Sequence, residues 1–244
     1  QLTDVKEFFF KHYRPVNAIL SVAGNIKTEQ VKVLAEKWFG GIEPGEKYVR
    51  NLPQEPKQAE VRRLEITADV PLNALYKCWH ISSRLEDGYY NMDLISEVLG
   101  GGTSSRLYQA LVKEKKLFSH IDCHHSGSVD KGLLTIEGKL LKGIKMEDAE
   151  AAVEEEVSKM KTELISNSEL EKVKNKTESA IIFEDMSVMN RANSLAFYEL
   201  LGNTNLMNEE IKKYRQVTSE DMRNESNIIF DTNNSNTLCY YSKN

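Results

Sequence analysis

Apolar residues recur along this chain at two periods, and the switches between them lay out the elements. Over residues 3–14, Val5, Phe8 and Phe9, with His12, share one face of a helix that Pro15 ends. The apolar run 17–23 reads as a short strand. Thr28 is placed to cap a helix over 29–39 that sets Val31, Leu34, Ala35 and Trp38 at core spacing. A Gly- and Pro-rich stretch with mixed charge, 40–58, reads as a connector. From Glu60 the pattern alternates, with strands at 61–66 and 72–81. Helices follow at 88–99 and 104–116, then strands at 118–126 and 132–140, with Asp130-Lys131-Gly132 suited to a hairpin turn.

The acidic segment 146–164 reads as a long helix with Ala149, Val153, Val157, Met160 and Leu164 inward. Asn167-Ser168 with Glu171 reads as a capping box for the next helix, whose apolar face is Leu170, Val173, Thr177 and Ile181. Further helices fit 187–202 and 207–214, another starts at Thr218, and a strand fits 237–241. Strands and helices in this order predict an α+β fold, a mostly antiparallel twisted sheet with helices packed on one face. A weak internal repeat links the two ends. Gln1-Leu2-Thr3-Asp4-Val5 through Asn17-Ala18-Ile19-Leu20 resembles Gln216-Val217-Thr218-Ser219-Glu220-Asp221 through Asn236-Thr237-Leu238. It implies two homologous lobes, the tail of one followed by the next.

Composition narrows the classes. The chain has 244 residues, 40% hydrophobic and 28% charged, enough for one or two cores. A net charge of −5 argues against nucleic acid as a partner. No apolar run approaches the ~18 residues of a membrane span, so a soluble protein is expected, with no compartment assigned. Cys78, Cys123 and Cys239 are odd in number and sit in apolar or alternating stretches, which favours buried free thiols.

The stretch Leu99-Gly100-Gly101-Gly102-Thr103-Ser104-Ser105-Arg106-Leu107 carries the most chemistry. Three glycines permit φ > 0 and close approach, and Ser104 or Thr103 can cap the next helix. Exposed backbone donors at a helix start suit an anion or an extended peptide, or the turn only connects two helices. His120-Ile121-Asp122-Cys123-His124-His125 is the densest set of metal-type ligands. His120, Asp122 and His124 share a strand face but span roughly 13 Å, too far for one tetrahedral ion without a bulge. A polar strand face is the plainer reading. Glu154-Glu155-Glu156 and Glu36 read as solvated helix faces, Glu169 and Glu171 as caps, and Lys113-Glu114-Lys115-Lys116 as a solvated helix end.

Tyr13-Arg14-Pro15-Val16-Asn17-Ala18, a helix ending in Trp38-Phe39-Gly40, the LGGGTSSRLYQALVKEKKL stretch, Asp130-Lys131-Gly132-Leu133-Leu134, Ser168-Glu169-Leu170-Glu171-Lys172-Val173-Lys174 and Val217-Thr218-Ser219-Glu220-Asp221 form an ordered series. It resembles the pitrilysin/insulinase-like (M16-type) zinc metallopeptidases, which include the mitochondrial processing peptidase and the core proteins of the cytochrome bc1 complex. The resemblance implies a lobe of the LuxS/MPP-like metallohydrolase type over 59–244, a linker at 49–58, and the tail of a preceding homologous lobe at 1–48. The family's zinc motif, His-x-x-Glu-His, is absent from around His12, His80, His120, His124 and His125. Many relatives also carry an Arg and a Tyr in the helix after the glycine turn, where Val112 and Ser119 stand here.

By this resemblance the chain is a non-catalytic lobe without activity of its own, holding no metal or catalytic residue. Zinc is expected in the parent enzyme or the partner half, and the partners are that other half and a peptide substrate enclosed in a chamber. Gly100, Gly101, Gly102, Thr103, Ser104 and Arg106 are the implied peptide-contacting residues, with Arg106 positioning the turn or pairing with a nearby acid. The parent reads either as a zinc-bearing half or as a degenerate one. The alternatives are a structural subunit akin to the bc1 core proteins, or a small metal-binding module using His120 and His124.

Overall fold

Five strands drawn from residues 62–242 form one sheet. The computed structural model describes residues 1–53, 55–127 and 129–243. Its strands are β1 (Arg62–Ala68), β2 (Ala74–Ile81), β3 (Phe118–His125), β4 (Gly132–Leu140) and β5 (Ser235–Ser242), in the sheet order β1-β5-β2-β4-β3. The pairings β5–β2, β2–β4 and β4–β3 are antiparallel, while β1–β5 is parallel. The mostly antiparallel sheet read from the alternation is therefore present.

Register explains which side is buried. Leu75, Trp79 and Ile81 of β2 line up with Leu134, Ile136 and Leu140 of β4 and with Ile121 and Cys123 of β3 on one face, all buried. On that face Gly100, the last residue of helix α3 (Tyr89–Gly100), meets the β3 backbone at Cys123. Phe230, which follows helix α8 (Ser219–Ile229), packs edge-on to Trp79 with ring centroids 5.0 Å apart. Helix α4 (Met146–Thr162) covers Lys77, which is 3% exposed, with Nζ 3.1 Å from Glu150 Oε1, 2.5 Å from Glu154 Oε1 and 3.1 Å from Thr237 Oγ1. A buried ammonium is tolerated because every donor finds an oxygen. The opposite face carries Leu64, Tyr76, Cys78, His80, Asp122, Glu137 and Tyr240, all partly or fully exposed.

The chain divides into two compact units, Gln1–Pro56 with Ser179–Glu210, and Lys57–Glu178 with Ile211–Asn244. The second holds the sheet. The first holds α1 (Leu2–His12), α2 (Thr28–Phe39), α6 (Val188–Leu200), the end of α5 (Asn167–Asp185) and the start of α7 (Leu206–Gln216). α1 and α2 bury no residue, and Phe8, Phe9, Trp38 and Phe39 are 50–66% exposed. α6 buries Tyr198, whose hydroxyl donates to Glu210 Oε2 at 2.6 Å.

Several expectations change. The run 17–23 is not a strand. Asn17 closes a 3-10 turn (Pro15–Asn17), residues 18–27 belong to no element, and Ile19, Leu20 and Val22 are exposed. A strand needs a neighbour's N–H and C=O groups, and among the described residues none runs beside it. At both ends a helix is followed by a 3-10 turn, α1 by Pro15–Asn17 and α8 by Thr232–Asn234, but only the second continues into a strand, β5.

Thr28 is the first residue of α2 rather than its cap, which is Lys27. Leu164 lies beyond the end of α4 at Thr162 and is exposed. Ser166, not Asn167-Ser168 with Glu171, opens α5, its Oγ accepting from Glu169 N at 3.2 Å. The acidic run of α4 is not simply solvated. Glu154 pairs with buried Lys77, Glu155 with Lys115 and Lys159, and buried Glu156 with Lys159. The thiols are free, Cys123 and Cys239 buried and Cys78 half-buried, as the sequence suggested.

Candidate functional site

The glycine turn is built by three different constraints. At Gly100 any Cβ would overlap the backbone nitrogen of Cys123, so only glycine lets α3 lie this close to β3. Cys123 beneath it is fully buried, and desolvation pushes its thiol well above the usual range, so it is not a nucleophile. Gly101 is the residue after α3, its N–H bonded to Glu97 O at 2.9 Å. Gly102 takes φ +98° and reverses the chain, its N–H reaching Gly100 O at 2.6 Å.

The α-helix expected over 104–116 takes another form. After one turn the chain winds as a π-helix over Tyr108–Glu114, with Lys115 N donating to Ala110 O at 2.9 Å. It ends at Lys116, φ +52°, from which the chain turns into β3. No side chain among the described residues caps this helix. Ser104 and Thr103 act otherwise, as acceptors for side chains reaching the turn.

Those side chains come mostly from α5. Arg106 forms a fork with Glu169, Nε to Oε1 at 3.0 Å and Nη2 to Oε2 at 2.7 Å. The hydrogen bond to Glu169 raises the Arg106 pKa against the effect of burial. Lys172 Nζ donates to Ser104 O at 3.0 Å, and Lys176 Nζ to Gly101 O at 2.7 Å and Glu97 Oε2 at 2.5 Å. Gln109 Nε2 donates to Thr103 O at 2.5 Å. Glu169, Lys172 and Lys176 are spaced i, i+3, i+7, so one helix face holds the turn. Pairing of Arg106 with an acid was expected from the sequence; that the acid is Glu169, read there as a cap, and that Lys172 and Lys176 of the same face reach the turn was not.

Side chains thus occupy three carbonyls of the turn, backbone N–H groups occupy those of Gly100 and Gly102, and the Arg106 fork is spent on Glu169. Gly102, Thr103 and Ser104 remain exposed, and among the described residues the N–H groups of Thr103 and Ser104 meet no acceptor. Two adjacent free amides are what an extended chain or a carboxylate can bind. Elsewhere on this unit Asp93 joins His125 Nε2 at 2.8 Å and the Tyr214 hydroxyl at 2.5 Å. His80 is held by Asn234, with Nδ1 3.1 Å from Oδ1. Val112 is half-buried with nothing to donate, and the Ser119 hydroxyl is bonded to Lys139 O at 3.0 Å. Neither offers a group for a reacting carbonyl.

Comparison with known proteins gives this arrangement a family. The model described as "Peptidase M16 inactive domain" matches residues 1–177. The chain belongs to the peptidase M16 inactive-domain family. Among curated relatives, an uncharacterized zinc protease, YmxG, of Bacillus subtilis is 26% identical over 227 residues, covering 93% of this chain and 54% of its own length. The zinc protease PqqE of Helicobacter pylori is 24% identical over 240 residues, covering 97% and 54%. The chain therefore spans about half the length of these relatives. A crystal structure of a protease from Helicobacter pylori superposes with a TM-score of 0.91 at 24% identity, over 99% of this chain and 59% of that one. An M16 inactive domain from Pseudomonas fluorescens gives 0.73 at 16%, over 91% and 52%. These two likenesses show the α+β fold. The M16 zinc does not fit here, because none of the five histidines begins the inverted motif and two of them are tied to Asn234 and Asp93. Among the described residues no helix is long and apolar enough to cross a membrane.

Proposed function

We propose that this chain is the non-catalytic lobe of an M16-type zinc endopeptidase, one wall of a chamber that encloses peptide between two halves. The match to an inactive M16 domain, in a chain that spans about half of relatives named zinc proteases, carries this reading. Residues 1–48 are then the tail of a preceding homologous lobe, 49–58 a linker and 59–244 the lobe itself. The zinc and its ligands belong to the parent's other lobe or to a partner half. On this chain Gly100, Gly101 and Arg106 shape the turn, while the Thr103 and Ser104 amides at its tip meet peptide backbone.

The test is reconstitution with the zinc-bearing half. Peptide hydrolysis is expected only with both parts present. Thr103→Trp fills the exposed tip and is expected to raise KM several-fold, about 1 kcal/mol of binding, with kcat little changed. An unchanged KM removes the turn from the substrate path. The occupied carbonyls favour a second reading on that outcome, a structural lobe akin to the bc1 core proteins whose turn serves only packing. Hydrolysis that needs no contribution from this chain would overturn both.

A further inference from the structure

We propose that His120, Asp122 and Glu137 bind one divalent transition-metal ion of the Zn²⁺ type on the exposed side of the β3–β4 hairpin. The site is independent of the peptidase zinc and does not rest on the functional reading above. His120 and Asp122 are two apart on β3 and share its outer face. The antiparallel register places Glu137 of β4 directly opposite Asp122. One donor atom from each of the three lies within 4.8 Å of the others. A set drawn from one strand is too extended for an ion, and the hairpin solves this by replacing the distant His124 with a carboxylate from across the ladder.

Two independent observations point to a cation here. Asp122 Oδ1 is buried yet has no hydrogen-bond partner among the described residues, a state that folded proteins rarely leave uncompensated. The carboxylates of Asp122 and Glu137 also face each other directly, and like charges in that position push strands apart. Among the described residues neither is paired with a Lys or Arg. Lys139, opposite His120, forms no ion pair with them, and His124 Nδ1 stands 3.7 Å from Asp122 Oδ1, too long for a hydrogen bond. An ion between the three removes both penalties.

The chemistry of the donor set selects the ion. One imidazole and two carboxylates suit a borderline metal with water in the remaining positions, whereas Ca²⁺ would need six or more oxygens. Ligand atoms around a tetrahedral Zn²⁺ stand ~3.4 Å apart, from bond lengths near 2.1 Å. The three groups therefore close by about an ångström, which half-exposed or exposed side chains achieve by rotation.

Equilibrium dialysis of the full 244-residue chain against Zn²⁺, with Co²⁺ absorption as a second probe, tests this. One ion per chain is expected, and Glu137→Gln and His120→Ala each weaken binding by about tenfold or more. His124→Ala leaves affinity within about twofold. Far-UV circular dichroism checks that the variants fold. Zn²⁺ raises the thermal midpoint of the parent chain but not of Glu137→Gln. In metal-free buffer Glu137→Gln melts no lower than the parent, because a repulsion has gone, and a group needed only for packing would behave oppositely. Absence of saturable binding, or binding that survives both substitutions, overturns the proposal.

Discussion

Gly100 and Gly102 stand two residues apart and are glycine for unrelated reasons. Gly100→Ala drives a methyl into the Cys123 backbone in mid-strand, which cannot yield, and is expected to cost about 3 kcal/mol. Gly102→Ala meets open space and pays only for its positive φ, about 1–2 kcal/mol. Urea unfolding of the two variants should rank them in that order. Arg106→Lys loses the fork to Glu169 and should cost about 1–2 kcal/mol, since a point charge cannot repeat two parallel bonds. Glu225 gives a pH test. Burial raises its pKa above 4.5, and nearby Glu86 adds to this. A raised folded-state value means the native chain holds the proton more tightly, so this residue lowers stability as pH rises from 4.5 through the raised value. Glu225→Gln should raise the thermal midpoint at neutral pH, with the gain shrinking as pH falls toward 4.5.

At the scale of elements, α5 carries both a start signal and a clamp. Ser166→Ala removes the oxygen that accepts Glu169 N and should cost about 1 kcal/mol, while Ser168→Ala, two residues later, should cost less. Chemical denaturation of the pair distinguishes them. The α5 helix was legible because its apolar residues recur at helical spacing, but the cap was read one to two residues late among several Ser and Asn candidates. An acid partner for Arg106 was legible but its identity was not, since Arg106 and Glu169 are 63 positions apart and no local period links them. The π-helical turn was not legible either. Its residues, with Leu107 and Leu111 buried, pattern like any amphipathic helix, and nothing local marks the wider turn. Strands β2, β3 and β4 were read correctly because one side of each is buried, which imposes a strict alternation.

At the scale of the molecule, the two units differ in how much they bury. Deleting residues 1–56 removes α1 and α2, which bury nothing, so the thermal transition of the sheet unit should move by only about 2–4 °C. Under the proposed architecture, the exposed apolar run 17–23 waits for a sheet in the other lobe. Hydrogen exchange there should slow when that lobe is supplied, and equal exchange with and without it would contradict the idea. The fold class was legible from alternation and helical period, but the strand order was not. Nothing local in 235–242 says that it enters between β1 and β2. That insertion has a kinetic side. β1 and β2 are neighbours in sequence, yet among the described residues β1 pairs only with β5, with Arg62 against Asn236. The sheet must therefore close a loop of roughly 170 residues before its first strand has any partner. Until then the β2 edge lies open, and this is the interval in which the folding chain is most exposed to pairing with a second copy of itself.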